Sequence, residues 1–282
     1  MQNAYEAGTA IAIVAGIVGY FVVVRKSSFA AHALSHIGFA GGAGAALFGI
    51  SPVLGLLAFT TVGGSSIAVL SPRAARRDVN IGIVLAFMLG IGLLFADLYS
   101  YITGGNSIFV YSILFGEILA ISSSWAWPFG DVQLTLIASV VILAVLAVVY
   151  RPLLFSSLDE DVAEAKGLPT FALGIIFMLL IAVATSIAVQ VVGVLLIFSL
   201  MVTPAAIALQ LAKRPRLAIM ISIAIAVAAT WAGLFIAYFT IYPVSFFITS
   251  IVFILYLLVR SANWFFKSRR IVRGTESQIG TI

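Results

Sequence analysis

The sequence contains no cysteine and very little charge. The absence of cysteine from 282 residues excludes disulfide frameworks, iron–sulfur clusters and thiolate metal sites. Lys, Arg, Asp and Glu make up 9% of the chain, whereas an ordinary soluble domain has roughly 25%. With 63% hydrophobic residues and a mean hydropathy of +1.21, the chain cannot supply the polar shell that a soluble core needs. The composition therefore excludes a soluble protein and predicts that lipid surrounds most of the chain.

Nine apolar stretches are long enough to cross the ~30 Å of bilayer hydrocarbon as helices, at about 1.5 Å per residue. They are Gly8 to Val24, Phe29 to Gly49, Val53 to Leu70, Ile81 to Thr103, Val132 to Tyr150, Phe171 to Val189, Val192 to Ala212, Leu217 to Thr240 and Val244 to Val259. The stretch Ile108 to Ile121, of ~14 residues, is interpreted as a short outer or re-entrant helix. The sequence predicts an all-α integral membrane protein with about nine transmembrane helices, and eight as the alternative count.

Basic residues are missing from every second connection between these spans. If the N-terminus lies outside, all 15 Lys and Arg residues fall on one side of the membrane. Because positively charged loops stay in the cytoplasm, the N-terminus is predicted outside and the C-terminus inside. Residues 1–266 then form the transmembrane domain. Residues 267–282 form a basic cytoplasmic tail that contacts anionic membrane lipid, and no nucleic-acid partner is predicted.

The two histidines of the chain, His32 and His36, lie four residues apart in the second span. At this spacing they project from one face of a helix and can bind one metal ion or form one proton path. His36 lies ~12 Å from the cytoplasmic end of the span, at about 1.5 Å per residue. Ionisable groups at such depth are rare without a transport role. We therefore favour a ligand or transit role over histidines that only hydrogen-bond across a helix interface.

Few other polar residues within the predicted spans are candidates for a role in transport. Asp97, near the outer end of the fourth span, and Glu117, in the short apolar stretch, could each complete a divalent cation site. A solvated helix end is the alternative for Asp97, and for Glu117 the two interpretations stay open. Pro204, which follows Thr203 in the seventh long span, removes a helical hydrogen bond and predicts a kink or hinge there.

The loop from Arg151 to Thr170 contains the signals of a short cytoplasmic helix at about 157–168. Ser157 or Asp159 can cap its start, acids occupy its first turn, and Gly167 can end it. It is either an interfacial connector or a docking surface for a partner. The residues predicted to couple it to that partner are Asp159, Glu160, Asp161, Glu164, Lys166 and Gly167. The sequence has no GxxxxGK[ST] motif, so an ATPase, if one drives transport, must be a separate chain.

Four segments occur in an order typical of one family. They are Arg25-Lys-Ser-Ser-Phe with Ala33-Leu-Ser-His36, Leu114-Phe-Gly-Glu-Ile-Leu-Ala, Ser157 to Pro169, and Gln190 to Ala206. They resemble the ABC-3 type membrane subunits of bacterial zinc, manganese and iron importers. The resemblance implies a homodimer in the inner membrane, a cytoplasmic ATPase that binds ATP, and an extracellular or periplasmic metal-binding protein. It implies no catalytic residue and no permanently bound cofactor in this chain.

The second span departs from the family pattern at one position. The family usually has Asp-Ala-(Leu or Ile)-Ser-His, so the family histidine corresponds to His36 and the acid corresponds to His32. Because imidazole suits zinc better than manganese, the predicted cargo is Zn²⁺, followed by Mn²⁺. The alternatives are an ABC importer of a metal chelate of the siderophore type, a proton-coupled secondary metal carrier and a membrane scaffold that transports nothing.

Overall fold

The structure is a computed structural model. It describes residues 1–70, 77–104, 113–116, 118, 131–240 and 242–279. At residues 77, 131 and 265–279 it describes the backbone only. Throughout these residues the regular structure is helical, which confirms the predicted all-α class. The helices are α1 (Gln2–Val24), α2 (Ser28–Leu47), α3 (Pro52–Leu70), α4 (Arg77–Ile102), α5 (Asp131–Leu158), α6 (Glu160–Ala165), α7 (Thr170–Val192), α8 (Val194–Leu211), α9 (Pro215–Tyr238) and α10 (Val244–Ile279).

Nine of these helices are long, and each contains most of one predicted span. Within the described parts of the chain, eight have the length and hydropathy needed to cross a membrane. The one long helix that is not among these eight is α2. It carries both histidines and four glycines, which lower its hydropathy. The predicted short helix at Ile108 to Ile121 lies mostly outside the described residues.

Two helices continue well beyond their predicted ends. The fifth span was predicted to end at Tyr150, but α5 passes through Pro152 and ends at Leu158. A proline disrupts only its own helical hydrogen bond and the preceding turn, so it does not have to terminate a helix that packs on its neighbours. The last helix, α10, was predicted to leave the membrane at Val259, and its backbone stays helical to Ile279.

The helix that carries the histidines is enclosed by other helices. It packs against α3, α4, α7 and α8, and most of its residues are buried. Gly41 of α2 and Gly55 of α3 allow the closest approach, because a Cβ atom on either would overlap the carbonyl group of the other. Small residues are the usual means by which membrane helices pack closely. The glycines of α2 therefore allow the helix that carries the histidines to pack closely within the bundle.

The described part of the short apolar stretch packs on the joint between α7 and α8. The Ser245 hydroxyl at the start of α10 donates to the carbonyl oxygens of Phe115, at 2.6 Å, and Val192, at 3.3 Å. Gly116 contacts Gly193, the residue between α7 and α8. Residues 113–116 are thereby joined to the seventh and eighth helices.

Candidate functional site

His32 and His36 stand beside each other on one face of α2. Their ring centroids are 4.6 Å apart, and the ring planes meet at 80°. Both side chains are half-buried. The helical spacing places the two rings one turn apart, as the sequence predicted. The structure therefore brings together two imidazoles that could share one ligand.

The ring of His32 also contacts α8. Its centroid lies 4.8 Å from the centroid of Phe198, with an angle of 65° between the planes. The Nδ1 atom of His32 is buried and has no hydrogen-bond partner within the described residues. Leaving such an atom unpaired costs about 1–3 kcal/mol. A metal ion that binds this nitrogen would remove that cost, so the arrangement suits a ligand site.

The predicted carboxylate ligands do not join the histidines in the part of the chain that is described. Asp97 is exposed near the end of α4. No group of three or more His, Cys, Asp or Glu residues capable of holding a metal forms among the described residues. Glu117 lies outside those residues. Of the four predicted metal ligands, the structure places His32 and His36 together.

The proposed hinge lies in the helix that contacts His32. Thr203 and Pro204 are both within α8, and Pro204 is buried. Phe198 is in the same helix, six residues before Pro204. Sequence reasoning missed Phe198, although it belongs to the segment from Gln190 to Ala206, because no spacing along α8 reveals a contact with α2. A hinge at Pro204 stays a prediction.

The predicted cytoplasmic helix is present and capped at both ends. It spans Glu160–Ala165, shorter than the predicted 157–168, because residues 157 and 158 belong to α5 and the helix is capped at Asp159 and Lys166. The Asp159 carboxylate accepts a hydrogen bond of 3.0 Å from the amide of Val162. At the other end Gly167 has φ 81°, and its amide donates to the carbonyl of Glu164. These are the N-cap and the glycine C-cap that its sequence predicts.

Most side chains of this segment face solvent. Glu160, Asp161, Glu164 and Lys166 are exposed, and Ala163 is the buried residue of α6. The ammonium nitrogen of Lys166 lies 5.0 Å from the centroid of the Phe155 ring of α5. The acidic face therefore stays free of the bundle while Lys166 anchors the end of the segment.

Arg25 links the start of α2 to the end of α5. Its Nη1 atom donates to the hydroxyls of Ser156, at 2.8 Å, and Ser157, at 3.4 Å. Its guanidinium carbon lies 5.4 Å from the centroid of the Phe177 ring of α7. The turn before the histidine helix thus contacts the residues that immediately precede the cap of α6.

Comparison with known proteins shows where this architecture occurs. The family model of the ABC 3 transport family matches residues 1–263. The manganese transport system membrane protein MntC of Halalkalibacterium halodurans is 30% identical over 240 residues, which cover 83% of this chain and 77% of that protein. The manganese import system permease protein ScaB of Streptococcus parasanguinis is 30% identical over 239 residues, 84% of this chain and 81% of that one.

A solved structure has the same fold over nearly the whole chain. It is that of PsaBC from Streptococcus pneumoniae in complex with Fab, with a TM-score of 0.78 and 28% identity; the match covers 92% of this chain and 90% of the solved one. The predicted resemblance is confirmed by both kinds of comparison. The chain belongs to the ABC 3 transport family, as a multi-pass permease of the bacterial inner membrane whose ATPase is a separate subunit.

Proposed function

We propose that this permease imports a divalent transition metal ion, with zinc as the first candidate, along a path that passes His32 and His36. The observation that carries the proposal is the pair of imidazoles, 4.6 Å apart, together with the buried, unpaired Nδ1 atom of His32. Ionisable side chains within a membrane-spanning bundle commonly mark an ion pathway. The names of the relatives, which transport or import manganese, support a metal ion as the cargo.

The choice between zinc and manganese follows from the ligand atoms. Imidazole nitrogen suits zinc, whereas manganese prefers carboxylate, carbonyl and water oxygen. His32 and His36 supply two nitrogens, and the exposed Asp97 does not join them. These ligands support zinc. Manganese is the second candidate, because the named relatives are manganese systems.

A transit site differs from a structural zinc site in the number of protein ligands. A closed set of four ligands holds zinc firmly, but a permeating ion must also leave. Two imidazoles leave coordination positions for water, or for ligands from a second copy of the chain. We propose a homodimer around a central path, with ions delivered by a metal-binding protein on the outer side.

The ATPase is proposed to dock on α6. The exposed acids Glu160, Asp161 and Glu164 provide its contact surface, and the caps at Asp159 and Gly167 hold the helix in shape. Because Arg25 contacts the end of α5 next to this helix, movement of α6 can reach the start of α2. Thr203 and Pro204 in α8 are the proposed hinge.

Metal accumulation in cells tests the histidines. We expect His32→Ala and His36→Ala each to reduce zinc uptake at least tenfold at matched expression. Ser35→Ala is the control, because among the described residues its hydroxyl donates only to the carbonyl of Ala31 one turn earlier, and it should transport like the wild type. Zinc and manganese uptake at the wild-type rate in both histidine variants would remove the pair from the mechanism.

Reconstitution separates the proposal from a secondary carrier. Permease and ATPase together in proteoliposomes should take up zinc when ATP is supplied. Permease alone should not respond to a proton gradient. Uptake by the permease alone, driven by that gradient, would instead favour the proton-coupled carrier.

A further inference from the structure

A groove of about 790 Å³ lies between the end of α5 and the start of α9, away from the histidines. Its lining combines arginines with apolar side chains. The arginines are Arg151, Arg214 and Arg216. They belong to the side of the protein that the distribution of basic residues assigns to the cytoplasm. The metal path makes no use of this groove.

Within the described residues, the three arginines have no protein partner. All are exposed, and none makes a hydrogen bond or an ion pair with the described residues. No Asp or Glu lines the groove among these residues. Three unneutralised positive charges around one concavity favour an anionic ligand. Arginine in particular suits phosphate, because its planar fork can donate two hydrogen bonds to one group.

The start of α9 adds to this preference. Arg214 occupies the N-cap position without a side-chain cap, and Pro215 follows as the first helical residue. In the first turn of a helix the amide hydrogens have no carbonyl acceptor within the helix. Those of Arg216 and Leu217 therefore remain available, and the helix dipole favours an anion at the same place.

The apolar wall distinguishes a lipid from a soluble phosphate. Leu154, Phe155 and Leu158 of α5 face Leu217 and Met220 of α9 across the groove. Leu158 is 69% exposed and Met220 is 66% exposed. Both helices cross the membrane, so these side chains offer an acyl chain a continuous apolar surface. A free phosphate or a small phosphate ester would leave that surface uncovered.

We propose that the groove binds an anionic phospholipid of the cytoplasmic leaflet. Its phosphate contacts Arg214, Arg216 and the start of α9, with Arg151 on the opposite side, and one acyl chain lies between α5 and α9. Basic pockets between membrane helices on this side are suited to such headgroups. The lipid also contacts Phe155, whose ring is beside the Lys166 ammonium at the end of α6. Through Phe155 and Lys166, binding of the lipid therefore affects the position of the segment proposed to dock the ATPase.

Native mass spectrometry of the delipidated full-length permease tests this site. The ligands are phosphatidylglycerol, phosphatidylcholine with the same acyl chains, and glycerol 1-phosphate. Wild type should bind phosphatidylglycerol more tightly than the other two. The affinity for phosphatidylglycerol should fall roughly fivefold in each of the variants Arg151→Gln, Arg214→Gln and Arg216→Gln. This factor corresponds to about 1 kcal/mol per basic residue. Lys213→Gln is the matched control: it removes the same charge from the same connection but does not line the groove, and it should bind like the wild type.

A second variant tests the acyl portion without changing charge. Met220→Trp fills the apolar part of the groove and should weaken the binding of phosphatidylglycerol. Equal affinity for phosphatidylglycerol in Arg214→Gln, Arg216→Gln and Lys213→Gln would overturn the proposal. So would binding of glycerol 1-phosphate as tight as that of the lipid, which would assign a soluble phosphate. Displacement of the bound lipid when the ATPase is added would assign the groove to that subunit.

Discussion

Gly116 and Gly193 meet backbone to backbone, and both have positive φ, 76° and 82°. A Cβ atom on either residue would overlap main-chain atoms beside the other. Gly193 also has ψ 163°, a combination that is essentially restricted to glycine. Two independent requirements, conformation and space, therefore demand glycine where α7 meets α8.

The first prediction concerns this joint. Gly193→Ala should lower the free energy of unfolding by more than the ~1–3 kcal/mol that its backbone conformation alone costs, because the added methyl also overlaps Gly116. Thermal unfolding of the purified permease measures the change. Gly174→Ala in α7 is the control, since nothing lies within 4 Å of its added Cβ, and helical Gly→Ala is neutral or stabilising. Equal melting temperatures for the two variants would show that the joint relaxes freely.

The second prediction concerns the cargo. His32→Asp replaces a nitrogen ligand with a carboxylate and should raise the ratio of manganese to zinc uptake, by roughly tenfold if the preference changes by about 1.4 kcal/mol. Accumulated metal in cells supplied with both ions measures the ratio. His32→Asn is the control, because it introduces an oxygen without charge and should change the ratio less. An unchanged ratio in His32→Asp would show that this position does not select the metal.

The third prediction concerns the cap of α6. Asp159→Ala removes the acceptor for the Val162 amide, which costs about 1 kcal/mol. A helix of six residues has little cooperativity to offset that loss. We expect reduced transport per ATP hydrolysed in proteoliposomes that contain the ATPase. Asp159→Asn should retain most coupling, because asparagine caps well without charge. If Asn and Ala at this position behave alike, the charge rather than the cap is what matters.

The fourth prediction concerns Arg25 and Ser156. Arg25→Lys keeps the charge but replaces the planar guanidinium, whose Nη1 atom donates to both hydroxyls, with an ammonium group of different reach and geometry. Ser156→Ala removes the nearer acceptor. Thermal unfolding of the two single variants and the double variant should give a coupling energy of about 1 kcal/mol. Lys26→Gln, an exposed neighbour, should leave stability unchanged. Strictly additive effects of the two substitutions would show that the hydrogen bond contributes nothing.

The helices were predictable because a bilayer imposes both length and hydropathy on every spanning segment. Their ends were less so. The sequence places a proline after Arg151, yet α5 continues to Leu158, because packing on neighbouring helices outweighs one missing hydrogen bond. The caps of α6 were predictable, since Asp159 and Gly167 act through residues close to them in the sequence.

The contacts of the candidate site were also predictable only in part. His32 and His36 are four residues apart, so helical geometry alone predicts their contact. The contact of His32 with Phe198 and that of Gly116 with Gly193 join residues far apart in the chain. Such contacts depend on how helices are arranged, which periodicity does not encode. Small residues in a membrane helix are typical of close packing, but only the structure identifies Gly55 as the partner of Gly41.

The buried Nδ1 atom of His32 has a consequence for the speed of transport. If the metal path passes His32, as proposed, an arriving ion displaces no water from this nitrogen, because folding has already buried it. The dehydration barrier at this step then belongs to the ion alone. Ions that exchange their inner water slowly should pass more slowly than zinc, even where their equilibrium affinity for imidazole is higher.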